Sequence, residues 1–296
     1  MPARTVALLG ATGTLGANLL TALAAAHAAG NLRLVVLHRA SSDVSAVPAG
    51  VEKRVLDPGS ASEGEIHSAL SGVEVLVVST PGTAAGEPFL RALSTLTPAL
   101  TAYIPSWFTA NWTAAEEVDP AKQYIVSKAA LRNKAVELGL PVTTIRNGLF
   151  EDSFFGGFGV NAVDNTLHLY GKALESTFSF SSLPYIGAAV AQIVTLDKLE
   201  AKYTVAEAEF TGAELAAALQ TKHGKAPAVS EYTDADVAAA VARGPGPGLG
   251  AGWRTHWGNG NWTAPNRFAP EGVVPRTLAQ GIDKAIEQGL GKDAAW

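Results

Sequence analysis

The sequence V-A-L-L-G-A-T-G-T-L-G, from Val6 to Gly16, decides how the rest of the chain is interpreted. Its first four residues are apolar, as in a strand that is buried on both faces of a parallel sheet. Three glycines follow at the spacing G-x-x-G-x-x-G, and the alanine- and leucine-rich segment from Ala17 to about Ala29 is predicted to be a helix.

Each glycine of this strand–turn–helix pattern has a physical role in binding a dinucleotide. The first permits a sharp turn, the second lets the backbone approach a pyrophosphate, and the third lets the helix pack on the strand. The helix start also presents free N–H groups and the positive end of its dipole to an anion. The alternative is a turn in which the glycines serve the structure alone. We predict a dinucleotide site whose first contacts are Gly10, Thr12, Gly13, Thr14, Leu15 and Gly16.

The composition of the 296 residues limits the classes of function. Hydrophobic residues make up 47% and charged residues 17%, which is typical of a globular protein with a large core. The net charge of -5 and the lack of a basic cluster argue against nucleic acid as a partner. The chain has no cysteine, its six histidines show no metal-ligand spacing, and no apolar run is long enough to cross a membrane. We therefore expect a soluble, cytoplasmic protein without a metal; the oligomeric state is left open.

Strands and helices are predicted to alternate through the first half of the chain, which favours right-handed βαβ units and a parallel sheet. The expected fold class is α/β, a doubly wound parallel sheet with a smaller α+β substrate domain. We assign residues 1–150 to the dinucleotide-binding domain and 151–296 mostly to the substrate-binding region, with some segments returning to the first domain. The predicted strands are Val6–Leu9, Leu32–Leu37, Val51–Leu56, Val73–Val78, Ala99–Ile104 and Pro141–Ile145.

The residues that follow the second strand bear on the choice of cofactor. An acidic residue at this point binds the ribose hydroxyls of NAD, whereas an arginine accommodates the 2′-phosphate of NADP. This chain has His38 and Arg39 there, and no carboxylate before Asp43. Because a guanidinium pairs well with phosphate, the sequence predicts NADP(H). The alternative is that Arg39 is simply a solvated residue at the end of a strand.

The turn after the fourth strand, Ser79-Thr80-Pro81, is a second candidate for cofactor contacts. Ligands of doubly wound sheets lie over the carboxyl ends of the strands, and this turn is at such an end. An ordinary β-to-α turn would have the same composition.

Tyr124 and Lys128 are the strongest candidates for chemistry. Their Y-x-x-x-K spacing places both on one face of the predicted helix Pro120–Leu138. We expect the ammonium to lower the pKa of the phenol, so that it can transfer a proton. Ser106, at the end of the fifth strand, could polarise a carbonyl or could merely cap a turn.

The second half of the chain is rich in glycine and aromatic residues. Phe154 and Phe155 lie in a segment expected to be a flexible, apolar wall of the substrate cleft rather than part of a sheet. The stretch Gly244–Trp253, G-P-G-P-G-L-G-A-G-W, is expected to be a loop, either a lid or a purely structural loop. The predicted helices are Ile186–Leu196, Gly212–His223, Asp234–Arg243 and Pro275–Gln288.

Three stretches together resemble the NmrA-like, or isoflavone reductase-like, family of atypical short-chain dehydrogenases/reductases. They are G-A-T-G-T-L-G at Gly10–Gly16, Y-I-P-S-W-F at Tyr103–Phe108, and the segment Pro120–Phe150. In the last segment the family signature is matched in register by Lys128, Arg132, Gly139, Leu140, Pro141, Thr143 and Phe150.

The resemblance implies an NADP-binding domain followed by a smaller substrate domain, with Lys128 at the catalytic centre. It also implies reduction of an aromatic or conjugated substrate. Asn147 and Phe150 join the candidate cofactor contacts, as does Lys128 itself. Trp107 and Phe108 are candidate substrate contacts, although Trp107 stands where the family usually has an acidic residue.

These observations lead to the hypothesis of an NADPH-dependent reductase that transfers hydride to a conjugated or carbonyl-bearing aromatic molecule. Lys128, helped by Tyr124 or Ser106, would supply the proton to the developing oxyanion. The main alternative is an NmrA-like redox sensor that binds the dinucleotide without turnover. A nucleotide-sugar epimerase or dehydratase shares Y-x-x-x-K but needs polar sugar-diphosphate contacts, against which the apolar second half argues.

Overall fold

The computed structural model describes residues 3–80, 85–262, 264–265 and 267–290. The strands are β1 (Arg4–Leu9), β2 (Leu32–His38), β3 (Glu52–Val55), β4 (Val75–Val78), β5 (Ala102–Ile104), β6 (Thr144–Arg146), β7 (Leu149–Phe150), β8 (Val160–Asn161), β9 (Thr166–Tyr170), β10 (Thr177–Ser181), β11 (Lys202–Thr204), β12 (Ala208–Thr211) and β13 (Ala228–Tyr232). The helices are α1 (Thr14–Ala28), α2 (Glu63–Ala69), α3 (Glu87–Ser94), α4 (Gln123–Glu137), α5 (Glu151–Gly157), α6 (Leu183–Ile193), α7 (Gly212–His223), α8 (Asp234–Ala242), α9 (Pro245–Gly258) and α10 (Leu278–Gln288).

The chain divides into two compact units, each drawn from three segments. Unit 1 comprises Met1–Phe108, Ser127–Ile145 and Leu183–Tyr203. Unit 2 is made of 109–126, 146–182 and 204–296. Helix α4 contributes its first residues to unit 2 and the rest to unit 1. The units therefore interleave along the chain on both sides of residue 150, and the functional division at that residue stays a prediction.

Unit 1 is built on a parallel sheet in the order β3-β2-β1-β4-β5, which confirms the expected α/β fold class. Strand β1 is central because its residues from Val6 to Leu9 are almost fully buried and pair with a neighbour on each side. A parallel bridge from Tyr103 to Val142 continues the sheet beyond β5. Helices α1 and α6 pack closely, since a Cβ on Gly187 would lie 2.7 Å from the carbonyl oxygen of Asn18. Because the sheet is parallel, the carboxyl ends of β1, β2, β3 and β4 lie along one edge of it.

Unit 2 combines helices with two small sheets, in the orders β12-β10-β7 and β13-β9-β8. The strands after Phe150 were missed in the sequence, because two- to five-residue strands alternate too briefly to be distinguished from loops. Its core is an aromatic cluster whose ring centroids lie 4.7–6.2 Å apart. The members of this aromatic cluster are Phe154, Phe155, Phe178, Phe180, Phe210 and Trp257.

The prediction of a loop at Gly244–Trp253 is wrong, because Pro245–Gly258 forms helix α9. Proline is tolerated in the first turn of a helix, where no N–H partner is lost. The glycines allow close packing: a Cβ on Gly258 would lie only 2.1 Å from the carbonyl oxygen of Tyr170. Gly252 likewise packs against the aliphatic stem of Lys122. Tertiary packing therefore overrides a poor helix propensity.

Helix α9 is anchored in unit 2 by a buried acid–histidine pair. His256 is fully buried, and its Nδ1 lies 2.9 Å from both carboxylate oxygens of Glu116. Trp112 packs on the imidazole with ring centroids 4.5 Å apart, and Trp262 lies 5.3 Å away. Burial alone would raise the pKa of Glu116, but the His256 hydrogen bond and charge and donors from Thr113 lower it to about 2. Trp112 and Trp262 therefore pack inside unit 2 as structural residues. That the stretch Gly244–Trp253 acts as a lid stays a prediction.

Candidate functional site

The turn between β1 and α1 uses its three glycines for different reasons. Gly10 has a φ of +95°, and a Cβ there would lie 2.8–2.9 Å from atoms of Ser79 and Thr80. A Cβ on Gly16 would lie 1.9 Å from the carbonyl oxygen of Gly10. Gly13 differs, since the nearest atom to its added Cβ would be 3.9 Å away. The protein's own packing therefore requires glycine at 10 and 16 but not at 13, where the open space suits a ligand that approaches the backbone.

The start of α1 is arranged as an anion site would be. Gly13 occupies the N-cap position, no side chain caps the helix, and its first turn contains no acidic residue. Thr12 and Thr14 are exposed beside the turn, and Leu15 is half-buried. The positive end of the helix dipole is thus not neutralised by the helix's own side chains.

Ser79 and Thr80 have separate places beside the turn. The hydroxyl of Ser79 donates to the carbonyl oxygens of Leu9 and Gly10, at 3.2 and 3.0 Å, so this side chain braces the turn. The hydroxyl oxygen of Thr80 is buried, and no described residue forms a hydrogen bond with it. Pro81, the third predicted contact of this turn, lies outside the described residues.

A cavity of about 300 Å³ extends from the glycine turn across the ends of β2 and β3. Arg39 lines it and is exposed, and His38 beside it has Nδ1 3.0 Å from the Arg39 carbonyl oxygen. Asp57, Pro58 and Gly59, which follow β3, were not predicted as site residues, although their position at the end of a parallel strand was a signal. The described lining comprises Leu9, Gly10, Ala11, Thr12, Val36, Leu37, His38, Arg39, Ser42, Val44, Asp57, Pro58, Gly59 and Thr80.

A second, smaller cavity of about 30 Å³ contains the lysine predicted to be catalytic. Ser106 and Lys128 both line it, so the structure brings these two candidates together within unit 1. Thr80 lines this cavity as well as the larger one. The remaining described lining residues are Val78, Ala85, Tyr103, Pro105, Trp107, Leu131 and Arg132.

Burial lowers the pKa of Lys128 to about 8. An ammonium is poorly solvated in such a site, and the lining residues of the described chain include no carboxylate to offset this cost. A lysine with this pKa exchanges its proton readily near neutral pH, which is what a general acid or base requires.

The pKa of Tyr124 moves in the direction opposite to the prediction. Partial burial raises it, because a phenolate loses solvation, and an ammonium does not lower it. The side chain is 47% exposed on helix α4, one turn before Lys128. Helical spacing correctly places the two residues on one face, but it does not establish the electrostatic coupling that we expected.

Trp107 and Phe108, the predicted substrate contacts after β5, are both buried. Trp107 is 1% exposed, and the guanidinium of Arg132 lies over its ring, 4.3 Å from the centroid. Its indole Nε1 is buried, and the described part of the chain offers its N–H no hydrogen-bond partner. The role of both residues in substrate binding stays a prediction.

The remaining predicted contacts belong to unit 2. Asn147 is fully buried and donates from Nδ2 to the Gly148 carbonyl oxygen at 3.1 Å. Phe150 occupies the N-cap position of α5. Phe154 and Phe155 are fully buried in the aromatic cluster rather than on an exposed wall. The cofactor and substrate roles of these four residues stay predictions.

Two further properties concern the chemistry available to the chain. Across the ranges given above, histidine and acidic side chains do not form a group of three or more that could hold a metal ion. In the same ranges no helix combines the length and apolarity needed to span a bilayer.

A doubly wound sheet with a glycine-rich turn and a cavity over its strand ends defines the class of dinucleotide-binding α/β folds. Neither protein-family models nor curated protein sequences match this chain. Solved structures do match its fold. Leucoanthocyanidin reductase from Vitis vinifera, solved with NADPH, has a TM-score of 0.72 at 18% identity, over 96% of this chain and 99% of the other.

Two other solved structures are similar over nearly the whole chain. Isoflavone reductase has a TM-score of 0.75 at 15% identity, over 95% of this chain and 99% of its own. An NADPH-dependent quinone oxidoreductase from Escherichia coli has a TM-score of 0.68 at 22% identity, over 94% and 98%. At these identities the likeness establishes the fold, which is the fold that the family resemblance in the sequence predicted.

Proposed function

We propose that this protein is an NADPH-dependent reductase that transfers hydride to a conjugated or carbonyl-bearing aromatic small molecule. One observation carries the proposal: Thr80 lines both the cavity over the strand ends and the cavity of Lys128. A proton-transfer group with a pKa of about 8 is therefore adjacent to the site where a dinucleotide would lie.

Two features of unit 1 support NADP(H) as the cofactor. Gly13 leaves room for a pyrophosphate at the start of α1, and Arg39 lines the adjoining cavity. An exposed guanidinium at this point suits a 2′-phosphate. The fold neighbours solved with NADPH or NADP⁺, including the leucoanthocyanidin reductase, agree with this choice.

The bound cofactor would supply the hydride, and the protein would supply position and the proton. Ser106 would donate a hydrogen bond to the substrate oxygen on which negative charge develops. Lys128 would then transfer a proton from its ammonium to that oxygen or, after hydride addition to the β-carbon of a conjugated substrate, to the α-carbon of the enolate. The substrate class follows from the family resemblance and from neighbours such as isoflavone reductase and pinoresinol reductase with bound (+)-pinoresinol.

The direct test is NADPH oxidation measured against a panel of quinones, enones and aromatic ketones. We expect turnover with at least one class, and a loss of about 100-fold or more in Lys128→Met. Lys53→Met serves as the matched control, since Lys53 is exposed on β3. Turnover by Lys128→Met at the wild-type rate would remove Lys128 from the mechanism.

The pH profile tests the protonation state that the mechanism requires. Lys128 must carry its proton to act as an acid, so kcat/KM should be level below pH 8 and fall as the pH rises through about 8. A profile that rises through this range would identify Lys128 as a base and reverse the proposed direction of proton transfer.

A redox sensor that binds NADPH without turnover is the second candidate. The raised pKa of Tyr124 supports it, because a second proton donor was the sequence argument in favour of an enzyme. A sensor should show a larger thermal shift with NADPH than with NADH but no oxidation of NADPH across the panel.

A further inference from the structure

Two buried polar atoms of the lysine cavity have no hydrogen-bond partner among the residues that the structure describes. They are the hydroxyl oxygen of Thr80 and the indole Nε1 of Trp107, and both residues line the same cavity as Lys128. A buried donor or acceptor without a partner costs about 1–3 kcal/mol, so a protein rarely leaves two of them in one place without a use.

The dimensions and chemistry of this cavity fit a single water molecule. Its volume is about 30 Å³, whereas one water needs on the order of 10–15 Å³ and two to four polar partners. The Trp107 N–H can only donate, the Lys128 ammonium can only donate, and the Thr80 hydroxyl can accept. A water that accepts two bonds and donates one to Thr80 would satisfy both orphaned atoms.

We propose that this cavity holds an ordered water that, together with the Thr80 hydroxyl, returns a proton to Lys128 after each turnover. The inference rests on the proposed reductase function. When Lys128 has given its proton to the reduced substrate, the hydrogen bonds reverse, so that the neutral amine accepts from the water and the water accepts from the Thr80 hydroxyl. In one concerted step the water gives a proton to the amine while it takes one from Thr80 and Thr80 takes one from solvent, so that neither hydroxide nor alkoxide accumulates. Each O–H or N–H bond that breaks is replaced, and no further reactant is required.

Thr80 is suited to this role because it lines both cavities. The larger cavity is bordered by exposed residues, including Arg39 and Gly59, and so gives the hydroxyl a route to solvent protons once the oxidised cofactor has left it. Trp107 acts as a positioning residue, since its N–H can only orient the water. The Arg132 guanidinium, 4.3 Å from the ring centroid, keeps the indole in place.

A high-resolution crystal structure of the cofactor-free protein tests the water without reference to turnover. We expect an ordered water within hydrogen-bond distance of Thr80 Oγ1 and Trp107 Nε1. It should be lost or displaced in Thr80→Val, while Thr80→Ser should retain it. A wild-type cavity without such a water, or a water that contacts neither atom, would overturn the inference.

Kinetics test the relay. At saturating NADPH, Thr80→Val should lower kcat by about 10-fold, increase the solvent deuterium isotope effect and make the rate respond to added imidazole buffer. Thr80→Ser should remain close to the wild type in all three respects, and thermal melting should show that both variants fold. A Thr80→Val enzyme with unchanged kcat and isotope effect would refute the relay.

The two proposals can fail separately. If the wild type oxidises no NADPH with any compound of the panel, the reductase function fails, whereas the crystallographic result on the water still stands by itself. If the wild type is active and Thr80→Val is indistinguishable from it, only the relay fails.

Discussion

Two glycine-rich stretches of this chain form different structures, one a turn and the other a helix. The stretch Gly10–Gly16 forms a turn in which one glycine adopts a positive φ and another lets α1 contact β1. The stretch from Gly244 to Gly258 forms helix α9 instead, where small residues allow the backbone to approach its neighbours. The difference shows that glycine content alone does not predict a loop.

The atoms that an added Cβ would contact show whether a glycine is required for packing. At Gly16 and Gly258 it would overlap a backbone carbonyl oxygen of the same unit. At Gly13 it would touch little, and at Gly246 nothing lies within 4 Å. Gly13 has this free space at the start of α1, next to Thr12, which lines the larger cavity, so its predicted role is ligand binding and not packing.

The largest effect should come from Gly16→Ala and Gly258→Ala. The added methyl groups would lie 1.9 Å from the Gly10 carbonyl oxygen and 2.1 Å from that of Tyr170, so backbone must shift. We expect each variant to lose about 3 kcal/mol or more of unfolding free energy, measured by urea denaturation. A loss of less than about 1 kcal/mol in either would show that the backbone there adapts easily.

Gly13→Ala should instead leave the fold intact and weaken the binding of the cofactor. The methyl group fits the protein but occupies the space near the start of α1, so the Kd for NADPH should rise about 10-fold or more. Isothermal titration gives the Kd, and thermal melting without NADPH provides the control. Unchanged affinity would mean that the pyrophosphate does not approach the backbone at Gly13.

The buried pair on α9 predicts a pH dependence of stability. The pKa of Glu116 is about 2 in the folded protein against an ordinary value of 4.5, so the unfolded chain binds more protons between these values. Its contribution is present above pH 4.5 and is lost as the pH falls towards 2. Glu116→Gln should cost on the order of 2–3 kcal/mol at pH 7 and less at pH 3.

Denaturant unfolding of wild type and Glu116→Gln at several pH values measures this difference directly. Taking the difference cancels the contributions of carboxylates that do not interact with Glu116 and whose pKa is also lowered, such as Glu65. A cost that does not depend on pH would show that Glu116 contributes by packing and not through its charge.

The smallest effect should be a gain in the free energy of unfolding. Gly64 lies in the first turn of α2, and apart from its chain neighbours no described atom lies within 4 Å of an added Cβ there. Gly64→Ala should stabilise the protein by about 0.5 kcal/mol, because alanine loses less backbone entropy than glycine in a helix. The Kd for NADPH should not change, in contrast to Gly13→Ala. A destabilised variant would indicate that the first turn of α2 requires glycine.

Much of unit 1 was accessible from the sequence because its strands are continuous apolar runs. Leu32–Leu37, for example, was predicted within one residue of β2. Unit 2 was less accessible. Helix α7 was predicted with its observed bounds, since Thr211 and Glu214 form a capping box. Helix α9 was missed because its packing partners are distant in sequence and its own propensity is poor.

The candidate site, too, could be predicted from the sequence only in part. Lys128 and Ser106 could be placed together from strand ends and helical spacing. The orphaned atoms of Thr80 and Trp107 could not be foreseen, because an unsatisfied group is defined by all its neighbours at once. The raised pKa of Tyr124 likewise depends on burial, which a spacing rule does not measure.

The burial of Trp107 has a practical consequence. Within the described part of unit 1 it is the only tryptophan, and its indole lines the same cavity as Lys128. Its emission should be blue-shifted, and the spectrum of Trp107→Phe subtracted from that of the wild type isolates it. Quenching of this difference signal by titrated NADPH would give unit 1 its own optical reporter, free of any added dye.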